Sequence, residues 1–316
     1  MSTQEMRIVC ATDLLPRSEA ALERAGLLSD TLHANLMLLH VVAPSESELV
    51  LEQTLQQAQS TLRARAEPPL WRSSRLPGTA IRAGNPARLV VDEVSNASGA
   101  DLLVLGPHRP RPVRDVLEGT IAEKVLASRA CSVLIVNALP EGPYRRVLLA
   151  LDVSPSSAGA IRVAEQFVLS EEASATIVHA DEPPYQGLLS YASVETEQVS
   201  DYIQSWRSEA TRAIRELLRR ESSEATRFSI HVEAGHTVRG ILRAVEQLGP
   251  DLLVMGTRGG GRLHRALLGS VANSVLHQVA CDVMVVPAGA ERALAAGADA
   301  AADTQAAVSR EAITSP

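Results

Sequence analysis

The sequence predicts an α/β fold in duplicate: two tandem domains, each an open, mostly parallel five-stranded sheet with helices on both faces. Three observations predict it. Residues 99–136 and 249–286 align without a gap at an offset of 150, with 15 of 38 positions identical. Short apolar runs alternate with helical patterns along the whole chain. In the second copy, the apolar run Asp251–Met255 opens into Gly256-Thr257-Arg258-Gly259, followed after nine residues by Gly269-Ser270-Val271. A strand that feeds a glycine-rich loop and then a helix belongs to sheets whose strands run parallel.

The repeat extends beyond the aligned core. Asp13 pairs with Asp152 and His40 with His179 at offset 139, and Ala83-Gly84 pairs with Ala234-Gly235 at offset 151. The extra length of the second half therefore lies between residues 180 and 234. A period of this size is one whole domain, not the unit of a solenoid. The predicted domains are 1–140 and 141–287, with residues 288–316 as an Ala-rich tail of scattered charge and no apolar period, the composition of a disordered segment.

In the first half a strand over Arg7–Thr12 ends at Asp13, and a helix follows over Glu19–Leu32. Asn35–Val42 is a continuous apolar strand of the kind buried on both faces. A long helix over Ser45–Ala66 precedes a poorly patterned strand near Ser74–Ile81. Asn85-Pro86 supplies an N-cap and a first-turn proline to a helix reaching Ser98, where Gly99 stops it. Strand Asp101–Leu105, a loop, helix Thr120–Ser128 and strand Ser132–Val136 complete the half. The second half repeats the order: strand Arg146–Leu151 ending at Asp152, helix Ser157–Leu169, strand Ala175–Ala180, helix Thr196–Glu221, strand Thr226–Glu233, helix Val238–Leu248, strand Leu252–Met255, and a final helix and strand. The linker, 138–143, is broken by two prolines and a glycine. Each half is thus a flavodoxin-like or Rossmann-like domain. In such sheets ligands bind beyond the carboxyl ends of the strands, where the strand order reverses. Asp152 and Gly256 both fall at strand ends and share that rim.

Composition narrows the function. A net charge of −7, divided as 14 basic and 15 acidic residues before position 140 and 16 and 22 after it, lacks the basic footprint of a nucleic-acid binder. Aromatic residues are only 3%, too few for base-stacking platforms. The longest apolar runs fall well short of about 18 residues, and residues 1–12 lack a basic-plus-apolar leader pattern, so a cytoplasmic protein without membrane association is expected. Three cysteines, two of them at equivalent repeat positions, read as small core residues instead of a disulfide framework. No Cys/His spacing resembles a zinc site. Lys124 is the only lysine, and it lies within a helix, so lysine-based phosphate or Schiff-base chemistry is not expected.

The glycine loop of the second half is suited to an anion. Glycines allow close backbone approach, and a helix N-terminus adds unpaired N–H groups and a positive dipole end. Ser270 contributes a hydroxyl there, and Arg258, Arg262, His264 and Arg265 give the loop positive charge or serve as a solvated surface. Asp152 can accept from nucleoside hydroxyl or amino groups, or bond its own turn backbone. The loop lacks the Gly-Lys-Ser/Thr ending of a P-loop, and no dinucleotide fingerprint sits at the first βα turn. No paired carboxylates or Ser/His/Asp order stand near it, so no general base is evident and at most a weak ATPase is expected.

Three elements in order, Asp152-Val153-Ser154, His179-Ala180 and Gly256-x2-Gly259-x9-Gly269-Ser270, resemble the universal stress protein family. The resemblance covers residues 6–137 and 144–287, so the chain looks like a tandem of that family. It implies an ATP site in which Asp152 and Ala180 hold the adenosine, and Gly256, Gly259, Gly269, Ser270 and Val271 lie by the phosphates and ribose; Arg258, by its charge, is a further candidate for the cofactor. Whether magnesium accompanies the nucleotide stays open, because no acidic metal ligand stands in the loop. The resemblance also implies last strands paired across a pseudo-dimer, here Ser132–Val136 with Asp282–Val286, and allows a homodimer. The first half departs from the pattern. Its loop reads Gly106-Pro-His-Arg109, prolines 107, 110 and 112 remove N–H donors, and Leu15 replaces the hydroxyl of Ser154. Asp13, Val41 and Gly119-Thr120 remain, so a degenerate first site is expected, although His108, Arg109, Arg111 and Arg114 offer charge to an anion.

These readings together describe a stress-response regulator that binds ATP in its second domain. The alternatives are a nucleotide-free interaction module, whose surface includes the insertion over Pro183–Ser200 and takes a protein partner, and a slow ATP hydrolase or phosphotransfer protein.

Overall fold

A computed structural model of the chain describes residues 5–68, 71–96, 99–107, 120–154, 156–167, 172–184, 196–257 and 269–287. The described residues fall into two compact units, one holding 5–107 and 120–133, the other 134–287, with the division falling inside the last strand of the first repeat. In the first, β1 (Arg7–Thr12), α1 (Glu19–Leu32), β2 (Asn35–Val42), α2 (Glu48–Arg65), β3 (Gly78–Ala83), α3 (Pro86–Ser95), β4 (Leu102–Leu105), α4 (Ile121–Ser128) and β5 (Ser132–Ile135) alternate as the sequence predicts. The second contains β6 (Arg146–Ala150), α5 (Ser156–Phe167), β7 (Ser174–Asp181), α6 (Thr196–Glu221), β8 (Phe228–Ala234), α7 (Thr237–Leu248), β9 (Leu252–Gly256), α8 (Ser270–Leu276) and β10 (Asp282–Val286).

Within the first unit the strand order is β3-β2-β1-β4-β5, and within the second it is β10-β9-β6-β7-β8. The pairs β1–β2, β1–β4 and β2–β3, and likewise β6–β7, β6–β9, β7–β8 and β9–β10, are parallel. Successive parallel strands require crossovers, and the intervening helices supply them. From β6 the chain moves outward through β7 and β8 and then returns to β9 on the other side. The order therefore reverses between β6 and β9, which opens a crevice at their carboxyl ends.

Burial explains why the central strands read as unbroken apolar runs. Ile8, Leu38, Leu39, Leu102 and Leu103 are fully buried in the first unit, as are Leu148, Leu149, Ile161 and Ile177 in the second. Strands covered on both faces have no polar side to show. The edge strand β3 has half-buried or exposed residues throughout, which is why its pattern is weak in the sequence. It begins at Gly78, later than the expected Ser74. Residues before it are used otherwise: Trp71 Nε1 donates to the Arg75 carbonyl at 2.8 Å, and the Asp30 carboxylate accepts from Ser74 Oγ and from the Ser74 and Arg75 amides. Helix α2 begins at Glu48 because Ser47 caps it through the Val50 amide. The expected tail, 288–316, lies outside the described residues.

The cysteines are inert by environment. Burial pushes the Cys10 and Cys131 thiols up to about 12, and Cys281, less enclosed, to about 11. Since the thiolate is the nucleophile, none should react with iodoacetamide at pH 7.5 while the chain is folded. All three should label after urea denaturation. Rapid labelling of native protein, read by mass spectrometry, would contradict the placement. Among the described residues, no helix is long and apolar enough to cross a membrane.

Candidate functional site

The crevice between β6 and β9 brings together the sequence-predicted residues that fall in the described parts of the second half. Asp152 follows β6 by two residues. Continuing the β6–β7 register, in which Ala150 faces Val178, sets Asp152 level with Ala180. Continuing the β6–β9 register, in which Ala150 faces Met255, sets it level with Thr257, one residue past Gly256. Gly269 closes the group from the other end of the glycine loop: a Cβ placed there would lie 2.8 Å from the Thr257 carbonyl oxygen. The chain thus returns to within contact of the strand it left, and only a residue without a side chain fits. Gly269 caps α8 with no side-chain hydrogen bond, leaving the first N–H groups of the helix, including those of Ser270 and Val271, without intrahelical partners. Ser270 is exposed and Val271 half-buried. Arg258 and Gly259 lie outside the described residues, as do Arg262, His264 and Arg265.

Asp152 is held and open at once. Its Oδ1 accepts from the Ser154 amide at 3.3 Å, from the Ser154 hydroxyl, and from Ser157 Oγ at 2.6 Å. This is the turn-forming role that a strand-end aspartate can play. Its Oδ2 is buried and accepts no hydrogen bond among the described residues. A buried carboxylate oxygen without a donor costs free energy, on the order of 1–3 kcal/mol, unless something supplies the donor. The two readings of Asp152 from sequence are therefore not exclusive, since one oxygen serves each. Ser157, the second hydroxyl that orients the carboxylate, was not singled out from sequence. The spacing Asp-x-Ser-x-x-Ser is the signal that would have found it.

The main chain of Ala180 points into the same space. In a parallel strand, alternate residues bond to opposite neighbours. Val178 accepts from the Leu151 amide on the β6 side at 3.1 Å, and Asp181 accepts from the Gly235 amide beyond β8 at 2.9 Å. The Ala180 N–H and C=O therefore face the β6 side, level with Asp152, where β6 has already ended. The Ala180 side chain is turned under α7, with its Cβ only 2.6 Å from where a Cβ on Gly240 would stand.

The first half keeps the same scaffold and fills it with its own side chains. Asp13 Oδ1 accepts from the Leu15 amide at 3.0 Å and Ser18 Oγ at 2.6 Å, while Oδ2 is taken by the Arg17 guanidinium. Partial burial raises the Asp13 carboxyl, but the bonds from Ser18, Arg17 and the Leu15 amide outweigh it and hold the group below the usual carboxylate range. Arg65 of α2 reaches the Leu14 carbonyl at 3.1 Å and pairs with Glu19 at 2.8 Å. Leu14 itself adopts φ 60°, a strained conformation for a residue with a side chain. At α4, Thr120 and Glu123 form a capping box: the Thr120 hydroxyl accepts from the Glu123 amide at 3.1 Å, and the Glu123 carboxylate accepts from the Thr120 amide at 2.6 Å. A carboxylate of the chain thus sits where an anion would bind. Position 123 corresponds to Asn273 in the second half, which offers no such charge. Both arrangements have a local spacing as their signal, Thr-x-x-Glu for the cap and Asp-x-x-x-Arg for the ion pair. Gly119, His108, Arg109, Arg111 and Arg114 lie outside the described residues. Among the described residues, no group of three or more His, Cys, Asp or Glu side chains is placed to hold a metal ion.

Comparison with known proteins agrees with the duplication. The sequence model of the universal stress protein family matches twice, over residues 6–137 and 143–287. Universal stress protein A homolog 1 of Coxiella burnetii is 34% identical over 147 residues, a match that spans 45% of this chain and 96% of that protein. Universal stress protein MJ0531 of Methanocaldococcus jannaschii is 29% identical over 170 residues, spanning 52% of this chain and 96% of its own length. Each relative is thus about half as long as this chain. Among solved structures, a universal stress protein from Archaeoglobus fulgidus superposes with a TM-score of 0.66 at 20% identity, covering 92% of this chain and 100% of the other, a likeness of fold.

Proposed function

Since the chain belongs to the universal stress protein family, carrying two of its domains in tandem, we propose that it is a stress-response regulator whose second domain binds ATP and whose first does not. The observation that carries this reading is the buried, unpartnered Oδ2 of Asp152, level with the outward-facing main chain of Ala180. A nucleoside supplies what that corner lacks, hydroxyl or amino donors for the carboxylate and a polar edge for the Ala180 amide and carbonyl. The phosphates then extend along the glycine loop toward Gly269, Ser270 and Val271, where a helix start favours anions. Gly256, at the end of β9, starts the same loop, and Arg258 and Gly259 belong to it. If magnesium accompanies the nucleotide, its ligands come chiefly from the phosphates and water. The first domain has no equivalent opening, because Arg17 and Glu123 already occupy the positions of donor and anion.

Asp152→Asn tests the reading. The substitution keeps the acceptor that Ser154 and Ser157 use and turns the open acceptor into a donor. ATP affinity should fall by about ten- to a hundredfold, the worth of a hydrogen bond to a charged group, with little change in urea midpoint. Asp13→Asn should leave ATP binding as it is. Equal loss from both substitutions, or from neither, would argue for a different ligand or a site elsewhere.

A further inference from the structure

The crevice of the second domain has an aromatic flank that the first lacks. His179 Nδ1 stands 3.0 Å from the Leu151 carbonyl oxygen, so the imidazole is pinned to the residue that precedes Asp152. Trp206 of α6 stacks on this ring, with centroids 6.0 Å apart and planes inclined by 30°. The imidazole is buried beneath it, while Trp206 is half-buried. One helical turn earlier, Tyr202 donates its hydroxyl to the Pro184 carbonyl, which fastens the segment leaving β7 to the same helix. In the first domain His40 repeats the pin, 2.8 Å from the Thr12 carbonyl oxygen. Helix α2, however, contains no aromatic residue at all. The open carboxylate and the aromatic flank thus occur together, in one domain only.

Resting on the nucleotide reading above, we propose that Trp206 contacts the base of the bound nucleotide and favours purines. An indole stacks on any flat heterocycle, and the larger ring system gains more from it. Asp152 and the main chain of Ala180 fix the polar edge of the nucleoside, and Trp206 forms the wall beside it. The sequence contains two tryptophans, and the other, Trp71, lies in the first domain with its Nε1 bonded to Arg75. Trp206 emission can therefore be isolated in the full chain by Trp71→Phe.

In that variant ATP should quench the emission with saturation at the same concentration as the calorimetric isotherm. Trp206→Ala should weaken ATP by about ten- to a hundredfold, Trp206→Phe by clearly less, and inorganic tripolyphosphate should bind both as it binds the parent. Two outcomes overturn the assignment while leaving the nucleotide site standing: unchanged ATP affinity in Trp206→Ala, or an equal loss of ATP and tripolyphosphate. Absence of ATP binding by the unsubstituted chain overturns the site and the assignment together.

Discussion

Alanine at Gly269 should lower the affinity of the second domain for ATP by about two orders of magnitude. Gly269 has φ −53°, a value open to any residue, so the glycine is not required for backbone freedom. It is required for space. The new Cβ would lie 2.8 Å from the Thr257 carbonyl oxygen and 3.7 Å from its carbon, and backbone atoms cannot swing aside as a side-chain tip can. Relieving the contact pushes the start of α8 away from the end of β9, which separates the two ends of the phosphate loop. An overpacking cost of about 1–3 kcal/mol, realised as displacement of the loop, corresponds to roughly five- to 150-fold in binding, and a clash against rigid backbone belongs at the upper end. Calorimetry on Gly269→Ala, with urea unfolding alongside, checks it. Wild-type affinity would show that the contact is not part of the binding surface.

Alanine at Gly240 should destabilise the second domain, against the usual direction of such a change. Gly→Ala inside a helix ordinarily gains about 1 kcal/mol. Here the Cβ would meet the Ala180 Cβ at 2.6 Å and the Glu233 Cβ at 3.2 Å. Overpacking of this kind costs about 1–3 kcal/mol and occasionally more, and so exceeds the propensity gain. The net loss, up to about 2 kcal/mol with a backbone-near contact this short at the upper end, should lower the melting temperature by several degrees for a domain of this size. Because Ala180 carries the main chain that faces Asp152, ATP affinity should fall with it. Ala180→Gly in the same chain removes the opposing methyl and should restore stability. A stabilised Gly240→Ala protein would mean that α7 does not approach β7 so closely.

Much of this was legible in the sequence because the signals are local. The buried parallel strands announce themselves as apolar runs, Asn85-Pro86 announces a helix start, and the 150-residue offset announces a second domain. That Asp152, Gly256 and Gly269 sit at strand and helix ends was legible for the same reason, whereas Ala180 entered only through the family resemblance. What was not legible depends on side-chain direction and on contacts between segments. That Asp13 is neutralised by Arg17 follows from a side-chain direction that no periodicity encodes. That Trp206 lies on His179 depends on how a 26-residue helix packs across its sheet. The weak strand at the edge of the first sheet was placed four residues early, since Asp30 and Trp71 capture the segment before it and nothing in the segment itself says so.

A single calorimetric titration of ATP into the nucleotide-stripped full chain tests the central claim most directly, and its stoichiometry matters more than its affinity. One site per chain, weakened about ten- to a hundredfold in Asp152→Asn and unchanged in Asp13→Asn, is the predicted result. Two sites would mean that Arg17 and Glu123 yield to nucleotide in the first domain, and no heat of binding would mean that the open carboxylate of Asp152 serves another ligand.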